Sequence, residues 1–242
     1  MQRIVMAALL AGALGGLAVF VLHMWQTTPL ILHAEVYEAG QPAPAHSHGN
    51  QGAQGSQAEG HSHAAPAAGA GHGEAGPETV LGNPSRHALT LMADVVTAMG
   101  FAFLLVGAMA LSGREIGWRG GIIWGLCGYA AFYMAPALGA APELPGMVAA
   151  ELGARQTWWL STAAAATVAL GLIFFAPGAL WKAVAALLLV APHAIGAPHP
   201  VMEPGNVPAE LAAQFAVASL VVTGLFWMVL GGLGGYFYRR FA

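Results

Sequence analysis

The chain has 242 residues, 57% of them hydrophobic and only 8% charged, with a formal net charge of −3 and a mean hydropathy of +0.63. A soluble domain carries about 25% charged residues, so a chain this poor in charge cannot clothe itself in water-compatible groups, and a soluble globular protein is excluded. The eight Lys and Arg are scattered, which excludes a nucleic-acid partner, and the single cysteine, Cys127, excludes an intramolecular disulfide.

A bilayer core needs about 20 apolar residues as helix. Ile4–Leu22 follows Arg3 without a charge and ends in Leu22-His23-Met24-Trp25. That run exceeds the roughly 7–15 residues of a signal-peptide core and lacks a small-residue cleavage site, so residues 1–24 are expected to form an uncleaved first transmembrane helix. Residues 25–86 are rich in Ala, Gly, Pro, Gln, Ser and His. Such a stretch buries too little apolar surface to offset its ordering entropy, and a His-rich external loop with a disordered centre is expected. Residues 87–242 then form a membrane domain, with apolar runs at Ala88–Ser112, Gly120–Gly139, Thr157–Ala176, Ala183–Ile195 and Leu211–Tyr238. Pro177-Gly178 is a turn signal that divides the third of these from the fourth.

The fold class is therefore all-α: a polytopic membrane helix bundle of six spans, or five should the short run at 183–195 be re-entrant. With Arg3 in the cytoplasm, six spans place Arg114, Arg119, Lys182, Arg239 and Arg240 inside as well. Only Arg86 and Arg155 lie outside, as the positive-inside rule expects. Both termini are then cytoplasmic. Gly-x-x-x-Gly spacings at Gly12/Gly16, Gly121/Gly125 and Gly231/Gly235 would allow close helix approach. In a chain with 33 glycines such spacings also arise by chance, and they carry little weight.

All ten histidines fall on the outer side or at outer helix ends in this topology. Imidazole is the commonest protein metal ligand. His46 and His48, then His61 and His63, form two His-Ser-His pairs, with His72 nearby. In extended chain, residues i and i+2 point the same way, so each pair can offer two nitrogens to one divalent ion; the competing account is a biased linker with incidental histidines. Asp94 is the one acid inside an apolar span. A charge at that depth costs about 2.5–3.5 kcal/mol and usually faces a bundle interior or a water path. His87 lies two turns above it on the same face. The alternative is a shallow Asp that snorkels or bonds a neighbouring helix. His193 and His199 sit in two Pro-flanked turns at the outer mouth of the fifth span, with Glu203 and Glu210 following; a plain capping turn is the competing account. Trp158-Trp159 reads as an interfacial belt.

No phosphate loop, His-Glu-x-x-His, Gly-x-Ser-x-Gly or dinucleotide fingerprint occurs, so neither an enzyme nor a covalent cofactor is expected. The chain resembles the CbtA family, the larger subunit of a bacterial cobalt transporter. The resemblance rests on the first helix with its His-bearing loop, on Asp94-Val-Val-Thr-Ala-Met-Gly100 and on Gly128-Tyr-Ala-Ala-Phe-Tyr-Met-Ala-Pro136. It continues through Pro142-Glu-Leu-Pro-Gly146, Arg155-Gln-Thr-Trp-Trp159 and Pro192-His-Ala-Ile-Gly-Ala-Pro-His-Pro200. It implies cobalt uptake linked to cobalamin synthesis, with a small single-span His-bearing partner, CbtB. It also implies five spans, against the six read from charge.

Two functions compete. One is a divalent-metal permease subunit for cobalt, nickel or zinc, with the outer loop capturing the ion and Asp94, His193 and His199 on its route. The other is a non-transporting scaffold or metal-sensing partner. Convergence of Asp94 and the two Pro-His turns on one cavity would favour the first; dispersal over lipid-facing surfaces would favour the second.

Overall fold

The computed structural model describes residues 2–39, 82–200 and 205–242, and among these the chain is helical with no strand. Helix α1 (Gln2–Leu22) continues through a π-helical turn, His23–Thr27, into α2 (Thr28–Ala39). Helix α3 is Pro84–Leu111. Helix α4 (Trp118–Tyr129) passes through a second π-turn, Ala130–Met134, into the short α5 (Ala135–Gly139). Helices α6 (Leu152–Phe175), α7 (Ala179–Ile195) and α8 (Ala209–Arg240) complete the order. Five of the resulting rods are long and apolar enough to cross a membrane, and α7, at 17 residues, is shorter.

The first helix differs from expectation. It does not stop near Trp25 but runs on to Ala39. The π-turn accommodates the break, with the Thr28 N–H bonding the His23 carbonyl. Beyond it, Leu30, Ile31 and Ala34 pack on Leu144, Met147 and Leu211. Tertiary burial therefore makes a helix where composition suggested a loop. At 36 residues, Gln2–Tyr37 spans about 54 Å, well beyond the length needed to cross a hydrocarbon core of about 30 Å.

The centre of the bundle is α1 against α3 and α8, with α4 on the other side of α8. Ala7, Ala8 and Ala11 of α1 meet Ala98, Ala102 and Val106 of α3 and Phe226 and Leu230 of α8. Small residues let these backbones approach. A Cβ at Gly12 or Gly16 would lie 2.5 Å from the Cα of Met99 or Val95, and one at Gly121 would overlap the carbonyl of Gly231. All three Gly-x-x-x-Gly spacings are thus interfaces, which corrects the little weight given to them above.

Both termini lie at one end. Arg3 donates to the Tyr238 hydroxyl at 2.6 Å, and Arg239 lies beside Gly117 in the α3–α4 connection. Arg114 sits 5.1 Å from the Phe175 ring, and Lys182 donates to the carbonyls of Leu172, Ile173 and Ala176 that end α6. This basic end faces a far end where the two remaining arginines are neutralised by carboxylates. Arg86 bonds Glu35 at 2.5 and 3.2 Å, and Arg155 bonds Glu143 at 2.8 Å. Helix α7 turns back at Pro177-Gly178, where Gly178 has φ +95°, and reaches the far end, where His193 meets Trp158 and Ala197 meets Gly139. Among the described residues six helical rods therefore run between the two ends, five of them of membrane-spanning length and α7 a shorter return.

Candidate functional site

At the far end, α2, α3 and α8, the two π-turns and Pro142-Glu143 line a cavity of about 460 Å³. The first π-turn places His23 and Thr27 on its wall, and the second places Tyr133 there. Helix α3 supplies His87 and Thr90, and α8 supplies Ser219 and Thr223 one turn apart. Arg86 and Glu143, each in its ion pair, stand among the lining residues. A π-turn inserts one residue into an α-helix and re-aims the side chains that follow, which is why such turns recur at functional sites. Here two of them serve one cavity.

Asp94 is not on that wall; it stands behind it. Its Oδ2 is 3.1 Å from Nδ1 of His23, with the Asp94 side chain 14% exposed and that of His23 30%. His87 has its Nε2 buried without a hydrogen-bond partner. Tyr133, Ser219 and Thr223 share one stretch of the cavity lining.

A second hollow, about 950 Å³ and largely apolar, opens between α3, α4 and α6 toward the basic end, with Ser112, Arg114 and Glu115 among its lining. Phe101, Phe132 and Trp227 form its wall nearest the cavity. They make an aromatic layer, with Phe132 stacked on Trp227 at 5.9 Å and Phe101 at 4.9 Å from Trp227. Thr223 lines the cavity and Trp227 the hollow, so along α8 the two are separated by about 6 Å, one helical turn.

A family model described as "Probable cobalt transporter subunit (CbtA)" matches residues 1–239, essentially the whole chain. The chain belongs to the CbtA family. Comparison with curated proteins and with solved structures returns no match. CbtA is a transporter subunit by that description, so the chain acts in a membrane assembly with at least one partner.

Against this family background the expected site residues separate. His46, His48, His61, His63 and His72 lie outside the described residues, as does Glu203. His87 is on the cavity wall, and Asp94 reaches that wall through His23. His193 instead packs edge-on against Trp158 at 5.8 Å, and His199 is exposed in the connection after α7; neither lines the cavity. Glu210 accepts a bond from Gln214 at 3.3 Å. Among the described residues, no three of His, Cys, Asp and Glu gather as a metal cluster. Sequence reasoning passed over His23, Tyr133 and the hydroxyl residues. The available signals were a histidine inside the first long helix and the Ser219/Thr223 pair at i, i+4 on a charge-free span.

Proposed function

We propose that this CbtA-family chain is the membrane subunit of an uptake transporter for a divalent transition metal, with cobalt as the cargo. The observation that supports this most is the far-end cavity, an imidazole- and hydroxyl-lined recess inside a bundle whose outer surface is apolar. Much of its wall is apolar, with Met24, Ile31 and Phe215 on it, and polar groups set in such a wall are costly in a lipid environment unless they serve a water-filled path. The far end faces outside and the basic end faces the cytoplasm of a bacterial cell, since Arg3, Arg114, Arg119, Lys182, Arg239 and Arg240 then lie inside. The His-Ser-His pairs at 46–48 and 61–63, with His72, capture the ion, and the loop delivers it to the cavity. His87 and the Asp94–His23 pair receive it there, while His193 and His199 act as lesser residues of the outer mouth. The aromatic layer of Phe101, Phe132 and Trp227 separates this recess from the hollow that opens toward the cytoplasm. The partner is a small single-span His-bearing subunit of the CbtB kind, and cobalamin synthesis consumes the metal.

Radiolabelled cobalt, nickel and zinc uptake by cells expressing the chain, with and without that partner, tests the reading. Saturable cobalt accumulation that requires the chain is expected, with nickel and zinc competing. Metal bound at the cell surface but not accumulated would favour the scaffold reading, which the separation of His193 and His199 from the cavity keeps in play.

A further inference from the structure

We propose that His23 and His87 form a two-imidazole station for a borderline divalent ion of the first transition row, and that Asp94 is the residue that positions His23. The station takes its place in a route from the transport reading above, but its metal binding stands or falls separately. A neutral imidazole ligates through one ring nitrogen while the other carries the proton. The Asp94 carboxylate only accepts, so at 3.1 Å it holds the proton on Nδ1 of His23 and leaves Nε2 as the electron-pair donor. A carboxylate behind a histidine is the usual support of a metal-bound imidazole, fixing both tautomer and ring orientation. His23 and His87 both line the one cavity, so the two imidazoles border the same recess.

His87 supplies an independent observation. Its Nε2 is buried and unpartnered, a state that is unfavourable for a polar atom until a partner is supplied. A bound cation would satisfy that atom.

The remaining donors set the chemical class. Thr27 and Thr90 spend their hydroxyl protons on the carbonyls of His23 and Arg86, at 3.3 and 2.9 Å, and keep oxygen lone pairs. Glu143, the carboxylate on the wall, is engaged by Arg155, and no cysteine lines the cavity. Two imidazoles completed by hydroxyl or water oxygen suit Co²⁺, Ni²⁺ and Zn²⁺. They do not suit Mg²⁺ or Ca²⁺, which need several hard oxygens, or Cu⁺, which prefers sulfur. With no third strong ligand the ion is held loosely, as passage requires.

The test uses the full-length chain in detergent, with His46, His48, His61, His63 and His72 changed to Asn so that the loop is silent. Titration with Co²⁺ should give one site with a visible ligand-field band, displaced by Ni²⁺ and Zn²⁺ and unaffected by Mg²⁺. His23→Ala and His87→Ala should each weaken it at least tenfold. Asp94→Asn, which keeps the shape, should weaken it about 10–100-fold, the range for a lost supporting carboxylate. A folding failure is bypassed with the unsubstituted chain, where Co²⁺ should protect His23 and His87 from carbethoxylation mapped by mass spectrometry. Absence of any site in the loop-silent chain, undiminished affinity in folded His23→Ala, or lack of protection would each overturn the proposal. Binding without uptake would remove the transport reading and leave the station; uptake intact in a His23→Ala chain that has lost the site would take the station off the route and leave the reading.

Discussion

His23 and His193 show why a histidine near the end of an apolar helix has no fixed meaning until its partner is known. His23 lines the cavity and pairs with a carboxylate behind its wall, whereas His193 makes a T-shaped contact with Trp158 in the α6–α7 hairpin. An aromatic pair adds about 0.5–1.5 kcal/mol beyond burial. His193→Phe should therefore keep the thermal midpoint of the purified protein close to that of the unsubstituted chain, and His193→Ala should lower it, with Co²⁺ affinity of the loop-silent chain unchanged in both. A drop in affinity would make His193 a ligand. Asp94 was legible as a residue of interest because a charge in an apolar run is conspicuous. Its partner was not, because His23 is 71 positions away and its aim depends on a π-turn that no residue type announces. Glu151 is a simpler case. The N–H groups of Gly153 and Ala154 hold its carboxyl below the usual carboxylate range. That stabilisation is complete above about pH 4.3, the ordinary Glu value, and fades as pH falls through the depressed folded value. Glu151→Gln should flatten the acid limb of a melting-temperature profile; an unaltered limb would show that this cap does not contribute there.

The helices themselves were legible because apolar runs of spanning length are dictated by the bilayer, and Pro177-Gly178 marked a real turn. Helix α2 was not, since only the packing of Leu30, Ile31 and Ala34 on Leu144 and Leu211 makes it a helix. The glycine spacings were visible but uninterpretable in so glycine-rich a chain. What gives them meaning is the facing helix: Gly121 and Gly125 of α4 lie against Gly231 and the Trp227 carbonyl of α8. Adding a methyl group there forces the backbones apart, an overpacking cost of about 1–3 kcal/mol. Gly121→Ala should lower the detergent melting temperature, whereas Gly100→Ala, where a Cβ would meet nothing within 4 Å, should not. Equal effects at the two positions would mean that the α4–α8 contact is not as close as described.

For the molecule as a whole, both described ends of the chain lie at the basic end, and the proposed transport reading turns the far-end cavity outward. A C-terminal reporter active only in the periplasm should be silent when fused after Arg240, and an active one would invert the assignment. The loop and the cavity also divide the work. If, as proposed, the loop's histidines raise local ion concentration without forming the path, replacing them should lower uptake at scarce metal and leave it nearly normal at abundant metal. Loss at every concentration would give the loop an obligatory role.

The central claim, that cobalt enters through the far-end cavity, is tested most directly by labelling its wall. Thr90→Cys is made in a Cys127→Ser background, and spheroplasts of an expressing bacterium are treated with a membrane-impermeant cationic thiol reagent. Radiolabelled cobalt uptake is then measured. The account predicts reaction from the outside, slower in the presence of Co²⁺, with uptake lost in proportion to labelling. Free labelling that leaves uptake untouched, or a Thr90→Cys thiol that reacts only from the cytoplasmic side, would contradict it.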